Sequence, residues 1–212
     1  METTQLCQNI IFTLNQFAKL NLGVGTAGNA STRLEDSYLI SPSGMSYDSL
    51  NTSDIVEMDM DGNVRNGSKK PSSEWRFHRD IYLNRSEINA IVHVHSPHAT
   101  ALACNHLAIP PFHYMVAVAG GSTIPCAEYA TFGTQELSDN IIRAMGTLHA
   151  CLMANHGLIA VGNDLTAALS LTVEIENLAK QYILCQQAGE PELLSEREMH
   201  LNLENFKSYG NL

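Results

Sequence analysis

The chain has 212 residues, 44% of them hydrophobic, which suits one globular domain better than two and provides for a sizeable core. With 12 basic against 22 acidic residues, a formal charge of -10 and a pI near 5.2, it is a poor partner for nucleic acid or an anionic membrane. Cysteines 7, 104, 126, 151 and 185 form no Cys-x-x-Cys pair and read as free thiols. Met1-Glu2-Thr3-Thr4 carries no basic n-region and no apolar run approaches spanning length, so a cytoplasmic protein is expected.

Leu6, Ile10, Leu14 and Phe17 recur at helical spacing, predicting a first helix from about Thr4 to Leu20 that stops before Gly23. The segment 23–31 is too glycine-rich for regular structure. It reads either as a plain turn or as a nest of backbone N–H groups for an anion, and it lacks the Gly-Lys-Ser/Thr ending of a nucleotide loop. Strands are predicted at Ser31–Leu34 and Tyr38–Ile40, and Ser41-Pro42-Ser43-Gly44 is again a turn or a set of anion donors. Val56, Met58 and Met60 alternate with Glu57 and Asp59 before a hairpin at Asp61-Gly62, the pattern of an antiparallel sheet with one wet face.

Pro71-Ser72-Ser73-Glu74 opens a helix. Glu74 would suit that position for dipole reasons alone, and Ser72 and Ser73 would suit an anion there. Trp75, His78 and Tyr82 follow at helical spacing as packing residues. Ala90–Val94 is rich in β-branched residues, and its continuation places His93 and His95 two apart on one strand face, able to share an ion. Ser96-Pro97 starts another helix, where His98 is at best a neighbour of that pair. Met115–Ala119 reads as a buried strand. Thr134 caps a helix that ends at Gly146, a hairpin of 150–154 and 158–161 turns at His156, and Asp164 caps the longest helix, to about Ala188. Ser195 and Glu198 form a capping box for a last helix.

Several neutral imidazoles with a carboxylate are what a catalytic metal needs, and hydroxyl- and glycine-rich segments accompany them. A metal beside a phosphate pocket suggests Lewis-acid polarisation of a carbonyl on a phosphorylated substrate, although hydrolysis by a metal-bound water would need the same ion.

The segments Gly25-Thr26-Ala27-Gly28-Asn29, Ser41-Pro42-Ser43-Gly44, Pro71 to His78, His93-Val94-His95 and Asn155 to Ala160 together resemble class II sugar-phosphate aldolases of the aldolase/adducin superfamily. Further matches lie at His113-Tyr114-Met115, Ala119-Gly120-Gly121, Ile124-Pro125-Cys126, Tyr129 to Thr134 and Phe206 to Gly210, so the likeness spans almost the whole chain. It implies an α/β three-layer sandwich over residues 1–212, a central, mainly antiparallel sheet flanked by helices, assembled as a homotetramer with sites between subunits. His93, His95 and His156 would hold one Zn2+ per subunit, with Glu74 as fourth ligand in the empty site and acid/base in the loaded one. Thr26, Gly28, Asn29, Ser43, Gly44, Ser72 and Ser73 would bind phosphate. Tyr114 of a neighbouring chain would handle the proton of the aldehyde half, and Tyr209 would close over the site.

The activity so implied is reversible cleavage of L-fuculose 1-phosphate to dihydroxyacetone phosphate and L-lactaldehyde through an enediolate that the zinc stabilises. It asks for a Glu74 carboxyl raised towards neutrality, which packing of Trp75 and partial burial would supply. L-ribulose-5-phosphate 4-epimerases of the superfamily carry Asp in place of Glu74 and an acidic residue in place of the His113-Tyr114-Met115 environment, so the chain sides with the aldolases. A sugar-acid phosphate decarboxylase would share the metal set, and an adducin-head-like assembly module would lack it.

Overall fold

The computed structural model describes residues 2–208. Its centre is one eight-stranded sheet of β1 (Asn29–Arg33), β2 (Ser37–Ile40), β3 (Val56–Asp59), β4 (Val64–Asn66), β5 (Ala90–Val94), β6 (Cys126–Ala127), β7 (Ala150–Met153) and β8 (Gly157–Gly162). The spatial order is β4-β3-β2-β1-β5-β8-β7-β6, antiparallel throughout except for the edge pair β6–β7. Two long-range pairings position the site. Asn29 of β1 stands opposite His93 of β5, and on the other side His93 stands opposite Ile159 of β8.

Helices α1 (Thr3–Lys19), α3 (Pro97–Cys104), α5 (Leu165–Ala188) and α6 (Glu196–Ser208) contribute to the core on one face; α2 (Trp75–Asn84) and α4 (Gln135–Met145) cover the other. The period-2 alternation of β5 divides its residues between the two cores, Ala90, Val92 and Val94 to the first and Ile91 to the second. Ile10, Leu14 and Phe17 of α1 are fully buried, each contributing about 1.5–3 kcal/mol relative to exposure. The predicted caps form: Thr134 Oγ1 accepts from Leu137 N–H, Asp164 Oδ1 accepts from Ala167 N–H, and Ser195 and Glu198 bond reciprocally.

Two expectations are corrected and one strand is new. Tyr114–Ala119 is a 3-10 helix, not a strand, with His113 Nδ1 accepting from Met115 N–H at its start and Gly120 at φ 87 ending it. A short run of Met, Val and Ala has no period long enough to distinguish the two. The sheet is not wet on one face, because β1 and β2 are buried between α1 and α2; exposure is confined to the β3–β4 edge. The two-residue strand β6 was not expected at all, since its pairing with β7 is entirely non-local. Among the described residues no helix is long and apolar enough to cross a membrane.

Candidate active site

His93, next to last in β5, is fully buried, and His95 follows on the same face just beyond the strand's end. The tight turn between β7 and β8 carries His156, with Asn155 in the left-handed region at φ 52. A Cβ on Gly157 would collide with the Val94 carbonyl oxygen, so glycine there lets the turn press against the end of β5. The three rings consequently form a nearly equilateral triangle, with centres 4.9, 4.9 and 4.8 Å apart. The Nδ1 of His93 lies 2.9 Å from the carbonyl oxygen of Leu158, which can only accept. That bond puts a proton on Nδ1 and turns Nε2, the atom a cation would take, into the group, 3.0 Å from Nε2 of His95. Burial and the neighbouring imidazoles push His95 down to about 4, so this ring is neutral near pH 7.

Glu74 closes the group. It is the residue preceding α2, where an acid suits the helix dipole, but its side chain makes no capping hydrogen bond. The buried carboxylate instead reaches into the sheet, where Oε2 accepts from Asn29 Nδ2 at 2.9 Å and lies 3.3 Å from His93 Nε2. Oε1 lies 3.1 Å from His156 Nε2, yet it is buried without an aligned hydrogen bond. Close approach without alignment is what two ligands of one cation display. Two donors on a tetrahedral zinc, at about 2.0–2.1 Å each, stand about 3.3 Å apart. His93, His95 and His156 thus offer three ring nitrogens, all within 4.8 Å of one another, that could hold a metal ion, with the Glu74 carboxylate beside them.

Burial pushes the Glu74 carboxyl up, but the imidazoles of His93 and His156 outweigh it and hold the group well below the ordinary carboxylate range. The elevation expected from Trp75 does not arise. That ring lies against Gly62, with the guanidinium groups of Arg76 and Arg79 at 4.6 and 4.9 Å from its centre.

A pocket of about 320 Å3 opens beside this group and joins all three anion-type segments to it. Thr26, Gly28, Asn29, Ser43, Gly44, Ser72 and Ser73 all line it, together with Glu74, His95 and His156. No Lys or Arg does. Ser43 N–H and Ser72 N–H are engaged by the Lys70 and Ser41 carbonyls, which clamp the two serine segments together. The hydroxyls of Thr26, Ser43 and Ser73 are exposed donors facing the cavity. Gly28, at φ 101, brings its own segment within a Cβ's reach of the His93 carbonyl, so loop and metal-type group abut directly.

The profile described as Class II Aldolase and Adducin N-terminal domain matches residues 8–183. The chain belongs to the class II aldolase and adducin family. A 5-methylthioribulose-1-phosphate/5-deoxyribulose-1-phosphate aldolase of Rhodospirillum rubrum is 50% identical over 206 residues, 97% of this chain and 93% of that one. An L-fuculose phosphate aldolase of Escherichia coli K12 is 46% identical over 211 residues, 99% of this chain and 98% of that one. A solved L-fuculose 1-phosphate aldolase superposes with a TM-score of 0.94 at 41% identity, over 98% of each chain. The protein is a class II, metal-dependent aldolase.

Within this aldolase the other candidate residues divide. His98 is not near the imidazole group; its Nδ1 and backbone N–H both meet Glu176 of α5, at 2.7 and 3.0 Å. Tyr114 is 49% exposed and does not line its own chain's pocket. Tyr209 lies outside the described residues. Tyr129, Phe132 and Asn155 line the cavity without having been singled out. His78, expected to pack, is fully buried but hydrogen-bonded to Asn29 and Ser31. Its sequence signal was its place four residues after Glu74, one helical turn away.

Burial also pushes His78 down, to about 3. The unfolded chain takes up protons at ordinary histidines near 6.5, whereas these two folded rings refuse them until about 3 and 4. Between those values the unfolded state binds more protons, so stability falls as the pH falls. Metal-free protein is expected to lose up to about 1.4 kcal/mol per pH unit for buried His78, and less for partly exposed His95. Urea unfolding at pH 7, 6 and 5 checks this; an unchanged midpoint across the series contradicts it.

Proposed function

We propose that this class II aldolase cleaves ketose 1-phosphates, with L-fuculose 1-phosphate split reversibly into dihydroxyacetone phosphate and L-lactaldehyde, and that its metal is zinc, one per chain. The observation that carries this reading is a single pocket lined both by Glu74, His95 and His156 and by the hydroxyl-bearing Thr26, Ser43, Ser72 and Ser73. The chain acts as one domain in the cytoplasm, in a homotetramer with sites between subunits.

His93, His95 and His156 hold the cation, with Glu74 completing the set when no substrate is present. Bound there, the cation supplies Lewis-acid stabilisation of the charge that carbon–carbon cleavage leaves on the ketose fragment. Thr26, Gly28, Ser43, Gly44, Ser72 and Ser73 bind phosphate through hydroxyls and backbone N–H groups, a neutral cradle that suits an acidic protein. Asn29 lines the same cavity, and its side-chain amide is already bonded to Glu74 and His78.

As the C3–C4 bond opens, the C4 hydroxyl proton is relayed to solvent through the hydroxyl of Tyr114, which reaches in from a neighbouring subunit and gives up one proton as it takes the other, and the electron pair stays with the C1–C3 fragment. Glu74 takes a proton from solvent water and delivers it to C3. In the condensation direction it removes that proton, for which an ionised carboxylate is the competent form. Tyr209 closes the site during turnover.

The 50% identical relative favours a second substrate reading. 5-Deoxyribulose and 5-methylthioribulose 1-phosphates offer the same phosphate and carbonyl and differ only beyond C4, where exposed Tyr129 and Phe132 border the cavity. A coupled assay of these ketose 1-phosphates, with and without chelator, tests both readings. Chelator-sensitive release of dihydroxyacetone phosphate is expected, and the aldehyde formed fastest names the substrate. Inversion of a pentulose 5-phosphate, or release of carbon dioxide, without aldehyde would falsify the aldolase reading.

A further inference from the structure

Behind Glu74 runs a line of buried polar groups that neither the metal nor the phosphate role uses. His78 is fully buried on α2, its ring stacked on Phe77 with centres 4.7 Å apart. Its Nε2 lies 2.6 Å from Asn29 Oδ1, and its Nδ1 lies 2.7 Å from Ser31 Oγ. Ser31 Oγ is in turn 2.7 Å from the hydroxyl of buried Tyr82. At the other end Asn29 Nδ2 donates to Glu74 Oε2 at 2.9 Å.

Each link constrains the next. The amide oxygen of Asn29 only accepts, so Nε2 of His78 carries the ring proton. The neutral ring then presents a lone pair at Nδ1, to which Ser31 donates while accepting from Tyr82. Asparagine χ2 is soft and nearly two-fold, so something must specify which end of the amide is oxygen. The His78 N–H does so. Turning the amide over would aim its oxygen at a carboxylate and its NH2 at an N–H. The donors therefore run one way, from Tyr82 through Ser31, His78 and Asn29, and end on Glu74.

We propose that His78 is a positioning residue: acting through Asn29, it ties down Oε2 of Glu74 beside His93 and so turns Oε1 toward His156. This rests on the reading of Glu74 as metal ligand and proton carrier given above. The structure agrees with it in that Oε2 has a hydrogen bond from the protein, while buried Oε1 has none and faces His156.

The test is competition between the metal-free protein and a chromophoric chelator for zinc, with Glu74→Gln measured alongside. His78→Phe keeps the stack on Phe77 but loses both hydrogen bonds, and is expected to weaken zinc binding about 10–100-fold. His78→Gln retains an N–H able to meet Asn29 Oδ1 and is expected to restore most of the loss. A loss that Gln does not repair assigns His78 to packing and overturns the proposal. If Glu74→Gln weakens zinc binding and His78→Phe does not, the proposal falls while the role of Glu74 stands. If neither does, Glu74 lies outside the metal set and both fall. Should His78→Phe not fold, 15N NMR of the histidines in the unmutated protein decides: the Nε2–H tautomer with a slowly exchanging proton is expected at His78, and the Nδ1–H tautomer overturns the proposal.

Discussion

Replacing His156 with alanine is expected to abolish ketose-phosphate cleavage while leaving the fold in place. His156 sits in a turn whose flanking strands are held by backbone pairs from Ala150↔Ala160 to Met153↔Gly157, none of which needs the imidazole. Removing it takes away one of three ring nitrogens that lie within 4.8 Å of one another. It also leaves Glu74 Oε1 buried with nothing facing it at 3.1 Å. Lewis-acid stabilisation of developing charge is worth several kcal/mol, so kcat/KM is expected to fall by about 10^3-fold or more. Elemental analysis should give less than one metal per chain, with unchanged far-UV circular dichroism. Chelation of the unmutated protein should reproduce the loss, and added zinc should reverse it. A His156→Ala protein that retains activity and metal would remove the imidazole triangle from the chemistry.

Glu74→Gln is expected to separate metal binding from proton transfer. The amide has the carboxylate's shape, and its oxygen can still accept from Asn29 Nδ2, so folding should be unaffected. Three imidazoles remain to hold the cation at saturating concentration. What disappears is a group able to take or give a proton at C3, and general acid–base catalysis is typically worth about 10^2–10^4-fold. Exchange of the C3 proton of dihydroxyacetone phosphate with solvent should slow by that factor, since exchange needs the base but no aldehyde. Exchange at the unmutated rate would exclude Glu74 from proton transfer, whatever its distance from His93 and His156.

Much of this aldolase was legible before any coordinates. The stripe Ile10, Leu14 and Phe17, the caps Thr134 and Asp164, and the box Ser195–Glu198 are local patterns whose physics acts within a few residues, and each forms its element where expected. His93 and His95 share a face because strand side chains alternate, a rule that needs no tertiary information. Where the signal was short or non-local, reading failed. Tyr114–Ala119 had too few residues to reveal a period, and β6 exists only because β7 lies beside it.

The amino-acid sequence by itself determined most of the strands, the helix caps, the His-x-His pair, and the hydroxyls and glycines that line the pocket. The tertiary structure alone decided which groups meet. The register that sets Asn29 against His93 draws its amide onto Glu74, 45 residues away, and glycine at 157 lets the His156 turn close onto β5. It also decided the state of the carboxylate. Sequence allowed an acid raised by Trp75, whereas the fold turned Trp75 toward Gly62 and surrounded Glu74 with imidazoles that lower it. Electrostatic coupling depends on distance through space, and distances between separate elements are set only when the whole sheet has packed.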